Sequence, residues 1–244
     1  MADLKLNNIT PDGVGKIKLG ITNVQKIYNG STLVFPTSTP IEPGQVQICD
    51  LIWTDTNYSG TELISGGNIP IITNDVDWYA AWESNTPAAC YVDFDSNNST
   101  YGLIYNYWAK DVIKPPTGFR LPTSNDWGAI FSSFSSTCYV DNGNWFNRFG
   151  ANPGVWNPAE LTNTAELGDT GFNGEGYGYA YTNTTTEVLD FTNFQQAEAY
   201  WADNSIGSSV SSGYGLFLSS NKLSDIQIGD NSLFCLFMRF VKDA

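Results

Sequence analysis

The sequence predicts an α+β domain of short strands and long loops, with a small N-terminal β-hairpin or meander. Three observations carry this. Aromatic residues make up 14% of the chain and charged residues 15%, below the ~25% charged of an ordinary soluble domain. Gly, Ser, Thr, Asn and Asp are abundant, so turns come often and few stretches could form long amphipathic helices. Apolar runs are short and bounded by turn residues. At 244 residues the chain has room for one large domain plus a short appendage.

Absences narrow the chemistry. There is no histidine, which removes Ser-His-Asp and Cys-His catalysis, HExxH proteases and His-bearing zinc sites. The formal net charge is −14, which argues against a nucleic-acid groove or an anionic membrane surface. The N-terminus has no apolar signal core and no stretch is long enough to span a membrane. These features lead to the expectation of a product made in a bacterial cytoplasm, without membrane insertion. Cys49, Cys90, Cys138 and Cys235 form no CxxC pair and are expected as reduced, buried thiols.

Residues 1–38 carry a charge of +2 and the remainder −16. Between them, residues 39–46 form a Pro-rich linker, and residues 47–244 form the main domain. The first region holds a ten-residue repeat, Lys16-Ile-Lys-Leu-Gly20-Ile-Thr22-Asn-Val24 and Lys26-Ile-Tyr-Asn-Gly30-Ser-Thr32-Leu-Val34. Asn29-Gly30 is a tight-turn signal, and the flanks are strand-like. So small a ribbon is not stable alone in water. It either docks on another protein, through Lys16, Lys18, Lys26, Ile27, Tyr28 and Val34, or extends the sheet of the main domain.

In the main domain, Gln47–Trp53 reads as a strand, and the apolar run 232–241 as a central strand buried on both faces. A helix is expected after Pro122, capped by Thr123 or Ser124 with Asp126 in its first turn. Asn193–Trp201 is a weaker helix candidate, or a loop entering a strand at Ala199.

The repeat resembles xKIYxGSTxVxP segments in structural proteins of bacteriophages that infect gut bacteria. The larger region carries Thr100-Tyr-Gly-Leu-Ile-Tyr-Asn-Tyr-Trp-Ala109, Pro115-Pro-Thr-Gly-Phe-Arg-Leu-Pro-Thr123, Asp126-Trp127, Gly171-Phe-Asn173 and Cys235-Leu-Phe-Met-Arg-Phe-Val-Lys-Asp243. In this order they resemble the Fibrobacter succinogenes major paralogous domain. That family's usual Trp and His stand here as Phe119 and Arg120. The resemblance implies a C-type lectin-like fold. Together the two resemblances imply a non-enzymatic virion structural protein, a head or tail fibre or appendage. Its N-terminus would dock on other virion proteins, and its head would decorate the particle or bind a host surface glycan or receptor. Such appendages are often homotrimers. The alternative is a bacterial surface or secreted carbohydrate- or protein-binding module.

Candidate binding residues combine stacking rings with hydrogen-bonding side chains: Trp145, Asn147 and Trp156, then Tyr177, Tyr179 and Tyr181 in the glycine-rich loop, then Trp201, Asp203 and Asn204. No catalytic residue is expected. Asp93 and Asp95 alternate with aromatics as if sharing one strand face, and Cys235 lies in an apolar strand where a thiol is inert. No cofactor is expected. The lectin-like resemblance would also allow a Ca²⁺ loop, with Asp203 and Asn204 after Trp201 and contributions from Asp225, Asp230 and Asn231.

Overall fold

The computed structural model describes residues 18–19, 22–23, 27–29, 32–35, 42–48, 50–131, 149–150, 156–157, 170–203, 211–219, 222–229 and 232–244. In chain order the strands begin with β1 (Lys18–Leu19), β2 (Thr22–Asn23), β3 (Ile27–Asn29) and β4 (Thr32–Phe35). Then come β5 (Gln45–Ile48), β6 (Leu51–Thr54), β7 (Ile71–Ile72), helix α1 (Asp75–Glu83), β8 (Ala89–Cys90) and β9 (Ile104–Tyr105). Helix α2 (Ser124–Phe131) precedes β10 (Tyr179–Asn183), β11 (Val188–Thr192) and β12 (Ala197–Trp201). The chain ends with β13 (Ser211–Ser219), β14 (Lys222–Gly229), β15 (Phe234–Cys235) and β16 (Val241–Asp243).

Among the described residues the architecture is mainly β, with 37% strand and 19% helix, which corrects the α+β expectation. These strands form six small sheets of two or three strands each. The two α-helices are nine and eight residues long, too short to cover a sheet as a layer of their own.

The ten-residue repeat is a repeated hairpin. Lys18↔Asn23 and Leu19↔Thr22 pair in β1–β2, and ten positions later Tyr28↔Leu33 and Asn29↔Thr32 pair in β3–β4. Identical spacing gives identical register. Among the described residues, neither hairpin pairs with a strand of the main domain.

One sequence expectation is redrawn, and one open alternative is decided. Gln47–Trp53 is not one strand but parts of two: β5 and β6 form an antiparallel hairpin closed at Ile48↔Leu51. Of the two forms expected for residues 193–201, the structure shows the loop entering a strand: a turn followed by β12, all five of whose residues are buried. Pairing of Ala197–Trp201 with Phe217–Gly213 satisfies their backbone in the core, and tertiary context outweighs the helix propensity of Gln, Ala and Glu.

The terminal run is buried throughout from Cys235 to Val241, as expected, but it is a seam rather than one strand. β15 pairs with β10, Leu236 bridges Tyr105 of β9, Phe237 bridges Tyr200 of β12, and β16 pairs with β6. Four sheets therefore meet along ten residues.

Around the seam lie two apolar clusters. One contains Trp53, Trp127, Phe172, Tyr200 and Phe237, and the other Tyr105, Trp201, Leu236, Met238 and Phe240. Burial of Phe172 and Phe237 contributes about 1.5–3 kcal/mol each. Helix α2 carries Trp127 into the first cluster, stacked on Tyr200 at 5.4 Å between ring centroids.

Helix α1 has no clean apolar stripe in its sequence, because exposed Val76 and Ala80 are mixed with exposed Asp77 and Glu83, and it was not foreseen. Its N-cap Asn74 accepts from the Asp77 amide. The Trp78 indole donates to Thr182 Oγ1 at 3.2 Å, and Asp75 accepts from the Leu189 amide at 2.8 Å. Those bonds tie it to the β10–β11 hairpin.

Candidate functional site

Three irregular segments meet beside β12: residues 93–101, 171–178 and 193–196. Tyr101 and Tyr177 stack with centroids 4.0 Å apart, and Phe194, 47% exposed, lies 6.4 Å from Tyr101. Phe94 meets Phe191 edge-on at 5.4 Å. The 171–178 loop and the 193–196 turn are tied by a hydrogen bond from the Gln195 amide to the Gly176 carbonyl. Burial, then the neighbouring Glu175 carboxylate, pushes the Tyr177 hydroxyl well above the usual phenol range.

The backbone here is unusual. Asp93, Phe94, Asn173, Asn193 and Gln195 all have φ between 55° and 64°, the left-handed region that costs non-glycine residues energy. Such strain persists only where surroundings over-determine it, and it concentrates at functional sites.

Beneath the loop sits a buried polar network. Glu198 is fully buried, and its Oε2 accepts from the amides of Glu175 at 2.6 Å and Gly176 at 3.3 Å. Its Oε1 accepts from Asn57 Nδ2 at 2.6 Å. The Tyr200 hydroxyl lies beside this carboxylate without a well-formed hydrogen bond. Burial raises the Glu198 carboxyl above its ordinary value, against the opposing pull of Arg239, Asn57, the Glu175 amide and Tyr200.

Arg239 is 1% exposed. It donates to the carbonyls of Thr54, Phe172 and Asn173 and to Asn57 Oδ1, all within 2.8–3.2 Å. Its guanidinium lies 4.7 Å from the Phe172 ring centroid and 5.4 Å from that of Tyr200. Gly102, at φ 86°, lets the chain pass Asn57 closely, since a Cβ there would lie 2.5 Å from Asn57 Cβ.

The Fibrobacter succinogenes major domain model matches residues 46–242. The chain belongs to that family. No curated protein and no solved structure matches it, so the lectin-like kinship implied by the resemblance has no solved counterpart to rest on.

The family domain places the expected binding residues in different surroundings. Tyr177 is buried, 8% exposed, and stacks against Tyr101, so it supports a loop platform whose accessible rings are Tyr101 and Phe194. Tyr179 and Tyr181 occupy alternate, half-buried positions on β10, with the Tyr179 hydroxyl accepting from Asn193 at 2.9 Å. Trp156 is buried against the loop, its indole donating to the Gly174 carbonyl at 2.9 Å. Trp201 is fully buried and donates to the Tyr105 carbonyl at 2.9 Å, so it is a core anchor out of a ligand's reach. Asp203 lies apart, bridging Thr123 beside the Arg120-Leu-Pro-Thr123 turn.

Trp145, Asn147, Asn204, Lys16 and Lys26 lie outside the described residues, as do Asp230 and Asn231 of the Ca²⁺ loop. Lys18, Ile27, Tyr28 and Val34 are described as strand backbone, and so is Asp225. Among the described residues, no group of three or more acidic or thiol side chains could hold a metal ion.

Asp93 and Asp95 do not share a strand face, which corrects that expectation. They lie on consecutive 3-10 turns, both exposed, and Asp95 caps the second by accepting from the Asn97 amide at 2.9 Å. Cys90 and Cys235 are free and buried. Burial pushes the Cys235 thiol up to about 12, so it is inert packing. Cys49 and Cys138 lie outside the described residues. No helix among the described residues is long and apolar enough to cross a membrane.

Sequence reasoning missed Phe94, Phe191, Phe194 and Glu198. Glu198 left a legible signal, as a lone acid in the otherwise uncharged run Ala-Glu-Ala-Tyr-Trp.

Proposed function

We propose that this chain is a non-enzymatic appendage protein of a bacteriophage particle. Its N-terminal hairpins dock on other virion proteins, and its family domain is displayed outward as decoration or as a binding head for a host surface glycan or receptor. One observation carries the reading: two hairpins with matching register at their turns pair with themselves and, among the described residues, with no strand of the head. Ribbons of two-strand width need an external surface to be stable, and a particle protein supplies one. The net +2 of residues 1–38 beside a −16 remainder supports separate partners for the two regions. The loop platform of Tyr101 and Phe194, backed by buried Tyr177, supports a binding role for the head.

The test is mass spectrometry of purified particles, with and without residues 1–36. The full chain should be a particle component, and the truncated chain should be a folded head that no longer incorporates. If the full chain is absent from particles, the reading fails. A bacterial surface or secreted carbohydrate- or protein-binding module of the same family then takes its place.

A further inference from the structure

Helix α1 carries apolar residues on both sides. Trp78 and Ala81 face the core. On the outer side Val76 is 77% exposed, Ala80 is exposed, and Tyr79 and Trp82 are half-buried. A surface helix ordinarily turns charge outward. The rings continue beyond the helix. Tyr79 and Trp82 have centroids 5.5 Å apart, Trp82 and Trp108 6.4 Å, and Trp108 and Tyr107 6.0 Å. Tyr107 meets buried Trp201 edge-on at 5.9 Å, which roots the row in the core. The Trp82 indole donates to the Ser232 carbonyl at 3.1 Å, which fixes its ring. The row shares no residue with the loop platform.

Its rim is acidic. Glu83, one turn after Tyr79 on the helix, and Asp111, three residues after Trp108, are exposed. Lys110 sits over the Tyr107 ring at 4.9 Å and is held by both Asp111 oxygens at 2.8 Å.

We propose that Tyr79, Trp82 and Trp108 form a binding platform for a neutral polysaccharide. Sugar rings present C–H faces that pack on aromatic rings and hydroxyls that donate to carboxylates, and this row supplies both. Neighbouring rings are inclined by 30°, 64° and 83°. They make a ridged surface that suits a chain of puckered rings better than a flat protein face. Charge sets the class: an anionic glycan would meet two exposed carboxylates, with the adjoining lysine already paired. The proposal rests on the head being a displayed binding module, but not on particle docking.

The experiment is native affinity electrophoresis of the full chain through gels containing dextran, mannan or a soluble β-glucan, with polygalacturonate as the anionic control. At least one neutral polymer should retard the chain, and polygalacturonate should not. Tyr79→Ala and Trp108→Ala should each weaken retardation about tenfold, a difference readable as a shifted half-saturation concentration. Ile64→Ala, at an exposed site elsewhere, should leave it unchanged.

Circular dichroism checks that the variants fold, and Tyr79→Ala decides the matter if Trp108→Ala does not. The proposal is overturned if no neutral polymer retards the chain, or if folded Tyr79→Ala binds as the wild type does. It is also overturned if Phe194→Ala alone abolishes binding. Particle incorporation of Tyr79→Ala, measured in parallel, reports on docking separately.

Discussion

Glu198 and Arg239 hold the same loop by opposite ends of its peptide groups. The carboxylate accepts the amides of Glu175 and Gly176, and the guanidinium donates to the carbonyls of Phe172 and Asn173. Asn57 lies between them, donating to Glu198 and accepting from Arg239. Each charge thus neutralises backbone polarity that burial would otherwise leave unpaired, and the loop carrying Tyr177 is fixed from beneath. Such a network is favourable only when complete.

Arg239→Met should therefore destabilise the domain by about 3–5 kcal/mol, the cost of leaving a buried charge and its acceptors uncompensated. Arg239→Lys should recover little, because one ammonium cannot reproduce a planar fork that reaches three carbonyls and Asn57. Urea unfolding measures both. A loss below about 1 kcal/mol for Arg239→Met would mean the network is dispensable.

Glu198 makes the stability depend on pH. Its carboxyl is raised in the folded protein, so the folded state binds more protons than the unfolded one between the ordinary glutamate value and the folded value. Its contribution is fully present below the ordinary value and is lost as pH rises through the folded one. Glu198→Gln removes this titration, although its amide places a donor against Asn57 or the loop amides. The wild type's advantage over Glu198→Gln should shrink as pH rises above 4.5, the ordinary value. Thermal melts from acid to neutral pH read the difference, and an advantage that widens with pH would falsify the assignment.

Gly102→Ala should act on the same network. The new methyl would enter the space of Asn57 Cβ, at a φ of 86° that disfavours any side chain. We expect a loss of about 1–3 kcal/mol, partly relieved when combined with Asn57→Gly, which removes the Cβ it meets. Strictly additive losses in that double-mutant cycle would show that the two sites are not in contact.

What the sequence made legible follows from how local each signal is. The ten-residue repeat and Asn29-Gly30 specify a hairpin within a few positions, and both hairpins form in matching register. The cap at Thr123 is read from four residues. By contrast, the seam at 234–243 depends on β6, β9, β10 and β12, partners 37 to 192 residues away, so the sequence shows its apolarity but not its broken pairing. Helix α1 hides because its exposed side mixes Val76 and Ala80 with Asp77 and Glu83, which blurs the apolar stripe. Glu198 looked like a helix former beside Ala197 and Ala199 and became a buried strand residue because Asn57 and two loop amides satisfy it. Tyr177 was legible as part of a glycine-rich aromatic loop, while its stacking partner Tyr101 looked only like a family motif.

The Thr123–Asp126 pair closes the start of α2 reciprocally. The Asp126 amide donates to Thr123 Oγ1 at 3.2 Å, and the Thr123 amide donates back to Asp126 Oδ2 at 2.7 Å. This is a capping box with aspartate as the acid, and Arg120 clasps the same carboxylate through both terminal nitrogens. Burial opposes the charge on Asp126, but Arg120 and the Thr123 amide and hydroxyl outweigh it and hold the carboxyl below its ordinary value. The stabilisation is therefore present above that value and lost as pH falls through the folded one. Arg120 is 46% exposed, so solvent screens the ion pair and the cap carries most of the effect. Thr123→Ala should cost about 1 kcal/mol in urea unfolding at neutral pH, and Arg120→Leu less. Asp126→Asn keeps an acceptor but no charge, so its deficit relative to wild type should vanish in acid as the wild-type carboxylate protonates. If Arg120→Leu proves more damaging than Thr123→Ala at physiological salt, the ion pair rather than the cap secures α2, and with it the position of Trp127 against Tyr200.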